Sequence, residues 1–156
     1  MRNVRKKFLP MILLLLGSLI LSGCTKDEVL RHYHNVLETI GESQLTDKRS
    51  LEGKKESGVD DYTGSYKANY QNFSNTEWLF GGTSIKRGAG KEITVTCTLR
   101  ASEGHARVFW ISGAEESAGL IETDGTYSGV LTLPDGGNYI GVECENFTGS
   151  IELEIT

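Results

Sequence analysis

From about residue 60 onward the chain alternates. Tyr66, Ala68 and Tyr70 are separated by Lys67 and Asn69, and Ile93, Val95, Cys97 and Leu99 by Thr94, Thr96 and Thr98. Leu131 and Leu133 flank Thr132; Ile140, Val142 and Cys144 flank Gly141 and Glu143; Ile151, Leu153 and Ile155 flank Glu152 and Glu154. Period two with one polar face is the signature of an antiparallel strand. One run departs from it: Ala106, Val108 and Trp110 alternate with Arg107, Phe109 and Ile111, so that strand is apolar on both faces. Turn-forming groups separate the runs: Gly81-Gly82, Gly88-Ala89-Gly90, Ser102-Glu103-Gly104, Asp124-Gly125, Pro134-Asp135-Gly136-Gly137 and Thr148-Gly149. This spacing predicts a mostly-β domain over residues 61–156, an antiparallel, jelly-roll-like β-sandwich of about eight strands.

Before residue 61 the pattern changes twice. Val29, Leu30, Tyr33, Val36, Leu37 and Ile40 form one stripe of helical period, with Thr25 and Glu28 as a capping box and Gly41 as a stop. The polar face of this short amphipathic helix is mixed in sign, which favours a marginal helix over one lying on a membrane. His32 and His34 fall on different helix faces and share no ligand. In residues 41–61, 10 of 21 residues are charged, with both signs interleaved and only Leu45, Leu51 and Val59 as large apolar groups. Such a segment buries too little to offset its ordering entropy, so residues 24–60 read as an N-terminal stretch of short helix and charged linker.

Residues 1–23 have the form of an export signal. A basic start (Arg2, Arg5, Lys6, Lys7) precedes an apolar run from Phe8 to Leu21. That run is short of the ~20 residues a membrane span needs. Leu21-Ser22-Gly23-Cys24 resembles a bacterial lipobox. The resemblance implies a lipoprotein signal peptide, acylation of Cys24 as the new N-terminus, and an extracytoplasmic protein anchored in the cell membrane by that lipid. Thr25 is not an aspartate of the kind that retains a lipoprotein in an inner membrane.

The formal charge of the whole chain is −5, but the leader holds four of its 16 basic residues and none of its 21 acidic ones. Residues 60–156 carry six Lys+Arg against 14 Asp+Glu. No basic surplus is available to neutralise phosphates, so nucleic acid is excluded as a partner.

The C-terminal stretch resembles the closing hairpin of jelly-roll accessory modules in secreted bacterial proteins, of the pre-peptidase C-terminal type. Gly137, Tyr139, Ile140, Val142, Gly149, Ile151 and Leu153 occupy the matching slots. The resemblance implies a sandwich fold and a non-catalytic module. An immunoglobulin reading competes through the order Cys97, Trp110, Cys144, but Val142 stands where that fold places its corner tyrosine.

Candidate chemistry is sparse. Cys97 and Cys144 share the inward register of their strands and form either a disulfide or two buried thiols. Lys86-Arg87-Gly88-Ala89-Gly90-Lys91 lacks the first glycine and the hydroxyl residue of a phosphate loop. His105 is the only histidine of the head, no G-x-S-x-G elbow exists, and no His or Cys pair has zinc spacing. Glu143, Glu145, Glu152 and Glu154 flank the last turn and are weak Ca²⁺ candidates, Asp60, Asp61 and Asp124 weaker still; a solvated acidic face is the simpler account. Tyr62, Tyr66, Tyr70 and Trp78, among Asn69, Gln71, Asn72 and Asn75, are candidate sugar-stacking residues, with core packing as the competing account. The expectation is a non-enzymatic envelope lipoprotein without cofactor, whose head binds an envelope protein or glycan. The alternatives are a purely structural lipoprotein or a small hydrolase.

Overall fold

The computed structural model describes residues 44–83, 87–113 and 115–156. The signal segment, the lipobox with Cys24, and the helix with His32 and His34 lie outside the described residues. The described chain is all β: β1 (Lys54–Ser57), β2 (Gly64–Gly82), β3 (Glu92–Ser112), β4 (Ala118–Ile121), β5 (Gly125–Thr132) and β6 (Asn138–Ile155). Every pairing is antiparallel, in the order β1-β2-β6-β3-β4, with β5 also on β3.

β2, β3 and β6 have 19, 21 and 18 residues. At ~3.3 Å per residue each would run to about 60 Å if straight, far longer than a head of this size can accommodate. All three bend instead, and they bend side by side. Asn72 (φ 47°) in β2, Gly104 (φ 69°) in β3 and Asn146 (φ 48°) in β6 take left-handed backbone conformations, and the register shifts at these points. Asparagine and glycine are the residues that tolerate this conformation. At Gly104 no other residue fits, because a Cβ would lie 2.1 Å from the Asn146 carbonyl oxygen. Polar side chains fasten the crease. The Asn72 N–H donates to Thr148 Oγ1 (3.1 Å), the Asn146 N–H to Ser74 Oγ (2.7 Å), and the Ser102 hydroxyl to the Thr148 carbonyl (2.9 Å).

The crease folds the sheet onto itself. β1, the first half of β2, the second half of β6, the first half of β3 and β5 make one layer. The remaining halves of β2, β6 and β3, with β4, make the other. Tyr66, Ala68, Tyr70, Ile93, Val95, Cys97, Leu99, Ile151, Leu153 and Ile155 of the first layer share one core with Leu79, Phe80, Ala106, Val108, Ile140, Val142 and Cys144 of the second. The β-sandwich expectation is met with six strands rather than eight. Ser102-Glu103-Gly104 and Thr148-Gly149 are bends inside strands, not turns between them, and the C-terminal stretch is one creased strand rather than a hairpin.

The linker expected over residues 41–60 is corrected as well, where it is described. The Thr46 N–H donates to the Trp78 carbonyl (3.0 Å) and the Trp78 N–H to Thr46 Oγ1 (2.8 Å). Leu51 packs on the core, and β1 pairs with β2. The head therefore begins before residue 61. Gly53 is required there: a Cβ would lie 2.5 Å from the Lys67 carbonyl oxygen and 2.7 Å from the Tyr66 ring.

Candidate binding face

The proposed aromatic platform divides. Tyr62, Tyr66 and Tyr70 are buried, at 7%, 0% and 2% exposure, and belong to the core. Only Trp78 points outward. The core tyrosines serve a group that sequence reasoning missed: Glu77, 1% exposed. Tyr66 and Tyr70 donate their hydroxyl protons to Glu77 Oε2 (2.7 and 2.6 Å), and the Glu52 N–H donates to Oε1 (2.7 Å). The Gly53 backbone also hydrogen-bonds the Tyr66 hydroxyl. Burial, reinforced by Glu77, holds the Tyr70 phenol well above its ordinary range, and burial does the same for Tyr66. A buried carboxylate without a cation persists only when donors surround it. These donors come from the first layer and from the N-terminal segment, while Glu77 stands on the second layer, so Glu77 clasps that segment to the head and one layer to the other.

The two cysteines are free and buried, and no disulfide joins them. Cys97 pairs with Leu153 and Tyr127 in the first layer, Cys144 with Asn75 and Ala106 in the second. Burial pushes both thiols up to about 12, so they stay protonated at neutral pH. The four glutamates considered for Ca²⁺ do not converge, because β6 is creased between them. Glu143 and Glu145 lie on the outer face of the second layer, and Glu152 and Glu154 on that of the first. Glu143 accepts from Arg107 Nε (2.6 Å) and Glu152 pairs with Lys67 (3.4 Å). Among the described residues no group of three His, Cys, Asp or Glu is placed to hold a metal ion. Asp60 instead accepts from Arg87 Nε at 2.6 Å, and Asp124 lies 3.4 Å from Arg100.

The outer face of the second layer is built in rows by the β2-β6-β3 register. Trp78, Gly141 and Phe109 form one row, Thr76, Glu143 and Arg107 the next, and Glu145 and His105 the third. Gly141 leaves space at the centre of the first row: a Cβ would lie 2.7 Å from Phe109. The Phe109 ring fills that space and is 4% exposed. Trp78 stands edge-on to Phe109 at 5.2 Å and to Tyr139 at 6.0 Å, each pair worth ~0.5–1.5 kcal/mol beyond burial. Trp78 and Tyr139 are half-buried.

The Arg107 guanidinium links this aromatic group to the rows below. It lies 5.5 Å from the Phe109 centroid, bonds Glu143, and donates from Nη2 to Ser117 Oγ (3.2 Å). Beyond it is a concavity of about 600 Å³, lined by Thr76, Asn75, His105, Arg107, Glu143 and Glu145, with Ser74, Ala106, Glu122 and Cys144 completing it. That size is in the range of small-molecule sites. The sequence carried one signal of this face, the strand 106–111 with apolar residues on both sides, since a phenylalanine in the outward register needs cover.

No family model matches the chain, and no curated protein matches it. Solved structures share the β architecture distantly. The secreted serine protease VesC of Vibrio cholerae aligns at 12% identity and a TM-score of 0.41 over 64% of this chain, which spans 22% of that protease. PliG of Aeromonas hydrophila, a periplasmic inhibitor of g-type lysozyme, aligns at 15% identity and 0.37, over 65% of this chain and 92% of PliG. A family 29 carbohydrate-binding module aligns at 10% identity and 0.35, over 67% and 76%.

Proposed function

We propose that this chain is an envelope lipoprotein, held in the cell membrane by lipid on Cys24 and facing the extracytoplasmic side. In this reading its head binds a glycan, without catalysis, through the outer face of the second layer. The observation that carries the binding half is the juxtaposition of Trp78 and Tyr139 with a polar concavity of about 600 Å³ in the adjoining rows. Ring faces stack on the apolar faces of sugars, and Thr76, Asn75 and the charged rows supply partners for hydroxyls. The chemistry of the head supports binding over turnover. Both thiols are buried and protonated, and His105 has no hydrogen-bonded nucleophile among the described residues. The lipobox supports the anchor.

Two experiments test the reading. Glycan-array binding by the full chain in detergent should yield a glycan ligand, with affinity lost in Trp78→Ala at a temperature where circular dichroism shows that the variant, destabilised by loss of its contacts to Phe109 and Tyr139, is still folded. Absence of any glycan ligand overturns the binding half and leaves the purely structural alternative. Cys24→Ser should move the protein from the membrane to the soluble fraction; unchanged membrane retention overturns the lipid anchor.

A further inference from the structure

We infer that the glycan is a cationic one, an amino sugar with free ammonium groups; this rests on the glycan-binding reading and narrows it. The concavity holds three carboxylates from one strand of the second layer and one loop: Glu143 and Glu145 on β6, and Glu122 between β4 and β5. Its one permanent cation, Arg107, is already committed to Glu143 at 2.6 Å, to Ser117, and to the Phe109 ring. Glu122 and Glu145 have no ion pair or side-chain hydrogen bond among the described residues, and both are exposed. The Asn75 side-chain oxygen accepts the Thr76 N–H (2.8 Å), and Ser74 is engaged by Asn146. The unpaired carboxylates of the concavity are therefore Glu122 and Glu145, beside the His105 ring, the Thr76 hydroxyl and the Asn75 amide nitrogen.

Three ligand classes meet this surface differently. An anionic sugar faces two unpaired carboxylates and is repelled. A neutral sugar covers Glu122 and Glu145 without pairing them, and desolvating an unpaired charge is costly. An amino sugar brings an ammonium to those carboxylates while its ring faces lie within reach of Trp78, two residues along β2 from Thr76 in the same outward register. The head's acidic excess, six Lys+Arg against 14 Asp+Glu over residues 60–156, adds a field of the same sign that attracts a cationic polymer.

The test compares two probes of one backbone, chitosan tetrasaccharide with free amines and the N-acetylated chitin tetrasaccharide. Binding is measured calorimetrically on the full chain in detergent, below the pKa of the amines. Chitosan tetrasaccharide should bind at least about tenfold more tightly, a difference of ~1.4 kcal/mol, and added salt should erode the preference. Glu122→Gln with Glu145→Gln should remove the preference, weakening the chitosan tetrasaccharide and tightening the chitin tetrasaccharide that no longer covers unpaired charge, whereas Trp78→Ala should weaken both. Equal binding, or tighter binding of the acetylated probe, overturns the inference and leaves the glycan reading intact. If no glycan binds, reading and inference fall together. Tetralysine binding as tightly as chitosan tetrasaccharide also overturns the inference, because charge alone would then account for recognition.

Discussion

Removing the Tyr70 hydroxyl tests the Glu77 clasp directly. Tyr70→Phe keeps the ring and its packing at 5.5 Å from Phe147 and 5.1 Å from Phe73, so the apolar transfer energy is nearly unchanged. What is lost is the 2.6 Å hydrogen bond to a buried carboxylate, together with the 3.0 Å contact between the Tyr70 and Tyr66 hydroxyls. The shorter distance is in the charge-assisted range, where one bond is worth ~1.5–3 kcal/mol net. Glu77 Oε2 would retain only Tyr66, so the expected loss is about 2 kcal/mol. In urea denaturation followed by circular dichroism, the midpoint should fall by roughly 1 M with an unchanged slope. Glu77→Ala should cost more, about 4 kcal/mol, because it leaves two tyrosine hydroxyls unpaired in the core. The diagnostic variant is the triple Tyr66→Phe, Tyr70→Phe, Glu77→Leu. It removes the carboxylate and both hydroxyls together and should recover much of what Glu77→Ala loses, since only the Glu52 and Gly53 backbone groups then lack their partners. A Tyr70→Phe cost below about 0.5 kcal/mol, or a triple variant no better than Glu77→Ala, would refute the reasoning.

Four further outcomes follow from the geometry. Gly104→Ala should cost more than about 2 kcal/mol by thermal denaturation, because its Cβ meets the Asn146 carbonyl, whereas Asn72→Gly should stay within ~1 kcal/mol at the same crease. Arg87→Met should cost about 3 kcal/mol, since the Arg87 side chain is 8% exposed and Asp60 would lose its cation; Lys67→Ala, on an exposed pair, should change stability by less than ~0.5 kcal/mol. Alkali should destabilise the head. Cys97 and Cys144 ionise at about 12 when folded against an ordinary 9.0, so the native state holds protons that the unfolded state releases. Stability is then full below pH 9 and falls as pH rises towards 12, by up to ~1.4 kcal/mol per pH unit for each thiol, as denaturant midpoints across that range should show. Deleting residues 44–53 should lower the thermal midpoint, because Glu77 then loses the Glu52 N–H and β2 loses its pairing with Thr46.

The strands were legible in the chain because period two survives wherever one face meets a core. The crease was not. Thr148-Gly149 and Asp124-Gly125 look alike as turn signals, yet the second joins β4 to β5 and the first lies inside β6. What distinguishes them is whether neighbouring strands bend in the same place. Asn72, Gly104 and Asn146 meet there only after folding, and no local window contains all three. Glu77 was partly legible: it shares the inward parity of Leu79, two residues on, but the tyrosines that make its burial tolerable come from the other layer.

The charged segment shows a different limit. Composition measures what side chains can bury, and by that measure residues 44–57 have little reason to order. Their order comes from the backbone instead. Thr46 and β1 satisfy an open edge of β2, and the Glu52 N–H reaches Glu77 from a position where side-chain polarity is irrelevant. Lys54, Lys55 and Glu56 then stand on the outermost strand, where charged residues discourage further strand addition. The interleaved charge that marks a linker in the sequence is, on the folded head, the protection of its edge.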